Sequence, residues 1–228
     1  MEIHIQLEQL ISGRLIVHSV NDEDELFQCF FDLIDVYNPD VFIGYNIYGF
    51  DFDYMDARIK DPGGNWPNLS RLTDDAGGKF ELKNVSWSSS GRGANKMFIP
   101  QCSGRISFDM FKYIEMDYKL SDYKLDTVSK EFLGEGKADL KYHEMFEIHK
   151  EVRAIQDQLE RGWEVSPTRL KKSLDDNTLV VKYNVMDSVL VIRLFEKLNV
   201  WISVIELSSV VRVTPIEYCT RGQQMRCV

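Results

Sequence analysis

Cysteine is scarce and unpaired in this sequence: the four residues Cys29, Cys102, Cys219 and Cys227 form no C-x-x-C pair. That spacing offers neither a zinc knuckle nor a disulfide framework, and it fits a reducing compartment. Long hydrophobic runs are missing as well. Nothing approaches the ~20 apolar residues needed to cross a bilayer, and Met1 to Leu7 alternates polar and apolar rather than reading basic then apolar. A soluble chain without a signal peptide is expected. Glycine (14) and proline (6) are too few among 228 residues for a disordered or fibrous chain. Basic charge is also short, 27 Lys and Arg against 36 Asp and Glu, a net −9. This excludes a protein that coats nucleic acid by bulk phosphate neutralisation.

What is present is an ordinary globular composition, 44% apolar and 12% aromatic, with charge distributed unevenly. Residues 21–61 carry 11 acids and two bases, or −9, so the rest of the chain is neutral. Within that remainder, 77–108 holds five bases (Lys79, Lys83, Arg92, Lys96, Arg105) against Glu81, or +4. An acidic segment is followed by a basic one.

Alternating Ile3, Ile5 and Leu7, then the run Leu15 to Val20, predict two opening strands. Leu26, Phe30, Leu33 and Ile34 recur at helical spacing, with Asn21 as cap and Asn38-Pro39 as stop. Val41 to Gly44 reads as a buried strand, followed by a short helix capped by Asp51 or Asp53. Residues 61–105 are punctuated by Gly, Pro and Ser around two β-leaning runs, 79–87 and 96–99, which predict a hairpin with its tip at 88–93. A strand over Arg105 to Phe111, a helix ending at Gly134, a charged helical stretch over 139–178, and helices over 183–198 and 201 to about 211 complete the pattern.

Two constellations can carry chemistry. Gly44-Tyr45-Asn46-Ile47-Tyr48-Gly49-Phe50-Asp51 directly follows a predicted strand, where α/β folds place ligands. Alone it reads as a turn with a helix cap and does not support a function. Tyr183 and Asp187, four residues apart at the predicted start of a helix, share one face. Together they place two carboxylates on separate elements, as hydrolysis of a phosphodiester by two divalent metals requires, with a phenol able to orient the attacking water. The glycines at 134 and 136 follow a helix and lack the P-loop pattern, and His4, His18, His143 and His149 form no zinc spacing.

Asn38-Pro39-Asp40-Val41 through Gly44-Tyr45-Asn46 to Phe50-Asp51 resembles the second exonuclease motif of family B DNA polymerases of the delta and large DNA virus type, and Tyr183 to Asp187 resembles their third, Y-x-x-x-D. Gly104-Arg105-Ile106 with Asp109, Tyr123-Lys124-Leu125, Phe132 to Lys137 and Thr220 to Gln224 resemble the same family in order and spacing. The resemblance implies a ribonuclease H-like α/β exonuclease domain, a mixed sheet flanked by helices, over 1–200, with 201–228 as a helical connection toward a polymerase domain. It implies proofreading of a DNA primer 3′ end with two Mg²⁺ or Mn²⁺ ions. Carried over by position, Asp187 and Asp51 contact the metals, Tyr183 orients the nucleophile, and Asn46 and Phe50 seat the frayed end. Asp109 is given no catalytic role.

The family's first motif, a strand bearing Asp-x-Glu, has no counterpart in residues 1–50. The chain is therefore expected to begin after that strand, to lack the palm motifs, and to be nearly inactive alone. The hairpin has two readings: with Arg92, Lys96 and Trp87 it separates primer from template by charge and stacking, or it is a solvated loop. Implied partners are DNA, the rest of the polymerase chain and a processivity factor, with no membrane, at an intracellular site that is nuclear or viral. Two competing expectations are a non-catalytic module that binds single-stranded DNA or a partner, and a free-standing exonuclease whose missing carboxylates come from Asp22, Asp24 or another chain.

Overall fold

The cap of the first helix, α1 (Glu23–Tyr37), falls one residue later than predicted. Asp22, not Asn21, holds the N-cap position and accepts the Glu25 N–H at 2.9 Å, while Glu25 reaches back to the Asn21 N–H at 2.8 Å. The reciprocal pair satisfies two amides that the first turn leaves open, and three first-turn acids complement the helix dipole. Asn38 closes α1 in the left-handed region at φ 46°, and Pro39 prevents continuation.

The chain here is a computed structural model describing residues 18, 20–61, 63–72, 78–89, 93–136 and 140–215. Met1–Leu7, nearly all of Leu15–Val20, and the segment 220–224 lie outside the described residues.

Strand β1 (Val41–Gly44) leads through the 45–50 turn into α2 (Asp51–Lys60). Neither Asp51 nor Asp53 caps α2: Phe50 occupies the N-cap without a side-chain bond, and Asp51 is already the first helical residue. Backbone groups close the turn instead, with the Gly49 and Phe50 N–H groups donating to Asn46 O and the Phe52 N–H to Ile47 O. The Asp51 carboxylate is thus not spent as a cap.

β2 (Glu81–Ser89) and β3 (Gly93–Gln101) form the expected antiparallel hairpin, paired from Glu81↔Gln101 to Ser89↔Gly93; β2 is shifted two residues from its predicted run and β3 extends beyond its run at both ends. Its tip, including Arg92, lies outside the described residues. β4 (Ile106–Asp109) runs parallel to β1, from Val41↔Ile106 to Gly44↔Asp109. Among the described residues the strands form these two separate pairs rather than one mixed sheet.

The predicted strand over Arg105 to Phe111 stops at Asp109, because that side chain accepts the Phe111 N–H at 3.0 Å and starts α3 (Met110–Asp117). α4 (Leu125–Leu133) ends at Gly134, φ 72°, as its sequence predicts. α5 (Tyr142–Glu160) and α6 (Pro167–Lys197) fill the charged stretch. Ser166 caps α6 and Pro167 occupies its first turn, so the helix is 31 residues long and Tyr183 and Asp187 lie in its body, not at its start. α7 (Val200–Val211) follows.

One core joins β4, α3, α4, α6 and α7 through Phe108, Met110, Ile114, Val128, Leu190 and Leu194, none more than 1% exposed, and Val200 and Val204 of α7 belong to it. A second, smaller cluster packs Tyr48 against Met97 and Ile99 of the hairpin. Buried Arg105 ties the excursion down, donating to Leu69 O, Asn38 Oδ1 and Pro39 O. Among the described residues no helix is long and apolar enough to cross a membrane.

The α6 and α7 packing makes a direct prediction. Leu194→Ala, which empties a fully buried site, lowers unfolding free energy by about 3 kcal/mol in urea titration, whereas Val210→Ala, on the outer face of α7, changes it by less than about 0.5 kcal/mol. Equal losses at both positions would show that α7 is packed in another orientation.

Candidate active site

The turn after β1 is built around a buried carboxylate. Asp109, 2% exposed at the end of β4, stands opposite Gly44 in the parallel register. It accepts the Asn46 N–H at 2.7 Å, the Tyr48 N–H at 3.0 Å and the Phe111 N–H at 3.0 Å. Three backbone donors offset part of the cost of burying the charge. Burial still dominates and pushes the Asp109 carboxyl up to about 6.

With its amide held there, Asn46 adopts φ 61°, a left-handed conformation that asparagine tolerates. Gly49 follows because a Cβ would stand 2.5 Å from Asn46 Oδ1, and a Cβ on Gly44 would overlap the Ile47 side chain. Tyr45 turns the other way, its hydroxyl donating to Tyr123 O at 2.5 Å and its ring meeting Phe111 edge-on. Burial, reinforced by Asp109 and Asp122, drives its phenol well above the ordinary range.

A cavity of about 1100 Å³ opens beside this turn, and Asn46, Asp51, Asp122, Lys124 and Asp187 supply its polar wall. β1, α2, α4 and α6 therefore converge on one space, with Asp51 and Asp187 contributed by different helices. Asp51 is open to solvent at the rim, yet the surrounding protein raises its carboxyl above the usual carboxylate range. Asp122 moves the opposite way, held below that range by the Thr127 hydroxyl and by the Lys124 N–H at 3.0 Å.

The predicted site residues are not all brought to the same place. Asn46, Asp51 and Asp187 line the cavity. Phe50 stands outside it, 62% exposed and near parallel to the Tyr54 ring at 6.2 Å. Tyr183 lies one turn before Asp187 on α6, partly buried and not among the lining residues. Lys96 is far from the acids in sequence and exposed on the hairpin, its ammonium 4.4 Å from the Phe98 ring centroid. Among the described residues no group of three or more His, Cys, Asp and Glu is placed to hold a metal ion. Asp122 and Lys124 were not anticipated as lining residues; their only signal in the sequence is their place in the S-D-Y-K-L stretch at the start of α4.

Asp109 yields a pH test whose sign is fixed. Its folded value, about 6, lies above the 3.8 expected unfolded, so the folded state holds the proton longer and stability falls as pH rises across that window. Asp109→Asn removes this slope. Between pH 4 and 6.5 the stability of the natural chain should fall relative to the Asn variant by on the order of 2–3 kcal/mol in paired urea titrations. A constant difference would mean that Asp109 does not titrate there.

The family model for the exonuclease domain of DNA polymerase family B matches residues 3–128, more than half of the chain. The chain is 34% identical over 221 residues to DNA polymerase 120R of Invertebrate iridescent virus 3, covering 96% of this chain and 18% of that protein. It is 31% identical over 216 residues to the DNA polymerase delta catalytic subunit of Bos taurus, covering 93% of this chain and 17% of that protein. With putative DNA polymerase 060R of Frog virus 3 the identity is 28% over 221 residues, 97% of this chain and 19% of the relative. The chain thus spans about a fifth of the length of these relatives. Together with the turn and cavity described above, these matches show that the chain belongs to the DNA polymerase family B exonuclease-domain family and has its ribonuclease H-like α/β fold.

Proposed function

We propose that the chain is the proofreading part of a replicative DNA polymerase and hydrolyses nucleotides from a primer 3′ end. The observation that carries this reading is the shared cavity: in a chain of this family, carboxylates from two separate helices, Asp51 and Asp187, face one space together with Asn46.

The residues fit part of the metal-binding set of such a reaction. Asp51 and Asp187 would hold divalent ions, and Mg²⁺ or Mn²⁺ when bound supplies charge neutralisation and an activated water. The rest of the work belongs to the chain itself. Asn46, fixed by Asp109, presents its amide to the sugar and base of the terminal nucleotide. Phe50 offers an exposed ring on which an unpaired base stacks. Tyr183, one turn from Asp187, orients the attacking water in the assembled enzyme. Lys96 on the hairpin and Arg92, which lies outside the described residues, engage the backbone of the DNA strand.

Residues 1–200 are read as the exonuclease domain and 201–228 as the connection to the polymerase domain. DNA, the rest of the polymerase chain and a processivity factor are the partners in this reading, and the likeness to viral and delta-type relatives supports work at a viral replication site or in the nucleus.

The test is 3′ to 5′ degradation of a single-stranded oligodeoxynucleotide by a polymerase containing this segment, with Mg²⁺. Asp51→Ala and Asp187→Ala each reduce the rate about 10³-fold or more while leaving thermal unfolding unchanged. Activity retained in both variants would overturn the site assignment.

A further inference from the structure

We infer that Tyr48 is a positioning residue that joins the β2–β3 hairpin to the turn carrying Asn46 and Asp51, so that the two move as one body. The inference rests on the functional reading above only for what the joint is used for; the joint itself is a matter of contacts.

Tyr48 is 1% exposed and is held in three directions. Its N–H donates to Asp109 Oδ2 at 3.0 Å, in the same carboxylate that fixes Asn46. Its hydroxyl donates to Ser107 O at 2.7 Å, which ties the ring to β4. Its carbonyl accepts the Phe98 N–H at 2.8 Å, and its ring packs on Met97 and Ile99, 3% and 4% exposed. Cross-strand pairing puts Met97 and Ile99 opposite Val85 and Lys83, on one face of the hairpin. Lys96 and Phe98 occupy the opposite face, where the cation lies over the ring. Met97 and Ile99 on one face of β3 thus pack on Tyr48, the Phe98 N–H bonds its carbonyl along the strand edge, and Lys96 on the other face is exposed.

A buried aromatic with a satisfied hydroxyl and backbone bonds on both sides leaves little room for the hairpin to tilt without moving the turn. The orientation of the hairpin then sets where a strand guided along it meets Asn46 and Asp51. A loop that merely covered the surface would need no such attachment.

Amide hydrogen exchange on the full chain tests the joint without DNA. Met97→Ala, a deletion in the hairpin, should speed exchange at the Asn46 and Tyr48 amides about tenfold, as it does at Phe98, while α6 amides near Leu190 stay within about twofold. If Met97→Ala does not fold, Ile99→Val gives the same pattern with smaller amplitude. Faster exchange confined to β2 and β3 would overturn the inference.

Anisotropy titrations then test its use. Tyr48→Ala should weaken binding of a primer–template with an unpaired 3′ end about tenfold more than binding of a single-stranded oligonucleotide, and Tyr48→Phe should restore most of the difference. Equal loss on both DNAs would reduce Tyr48 to a fold-maintaining residue. If the natural chain bound neither DNA, the proposed function would fail while the exchange result still decided the joint.

Discussion

The arrangement depends on one carboxylate accepting three backbone N–H groups. Asp109 sits where β4 ends, opposite the last residue of β1, and its oxygens reach the turn after β1 and the first turn of α3. A charge this buried is costly unless donors surround it, and these donors come from segments more than 60 residues apart in sequence. The carboxylate therefore works only when the parallel strand pair is formed. Once it is, Asn46 is held at positive φ, a side chain at 44 or 49 would press on Ile47 or Asn46, and α2 starts with Asp51 at the cavity rim. Asp109 thus fixes the turn without itself lining the cavity.

The acidic segment takes a different meaning from this geometry. Asp22 caps α1, Glu23 holds the Tyr54 hydroxyl and the Arg58 guanidinium, Asp40 pairs with Arg71, and Asp56 takes Lys60 and the Trp66 indole. Much of the −9 is thus spent inside the N-terminal half of the fold, in caps and exposed pairs worth little individually. Asp51 is the member of this segment that faces the cavity. The acids that would carry hydrolysis are few, and net charge carries no information about them.

Several features were legible because local chemistry decides them. Val41 to Gly44 is apolar and bounded by turn residues, Asn38-Pro39 and Gly134 are helix terminators, and the Gly and Ser cluster at 88–93 divides two β-leaning runs. These need only nearest neighbours. The α1 cap was misplaced by one residue because Asn21 and Asp22 can both cap, and only the position of the Glu25 amide distinguishes them. α3 was hidden because Ile106, Phe108 and Met110 alternate with Ser107 and Asp109 as a strand would, and the switch to helix is made by Asp109, whose other bonds are long-range. The length of α6 was obscured by its charged first half, so Tyr183 and Asp187 seemed to open a helix that in fact starts at Pro167. Asn46, Asp51 and Asp187, singled out by motif spacing, line one cavity. The lining roles of Asp122 and Lys124 and the joint at Tyr48 depend on contacts between distant elements that a single sequence does not encode locally.

The central claim is that the cavity between α2 and α6 receives the 3′ end of a DNA strand. Paramagnetic relaxation in nuclear magnetic resonance spectra, with a nitroxide on one end of a short single-stranded oligonucleotide, tests it most directly. A 3′ label is predicted to broaden the amides of 44–52 and 184–191 selectively, whereas a 5′ label leaves them sharp. Equal broadening from both ends, or broadening centred on a different face, would contradict the account.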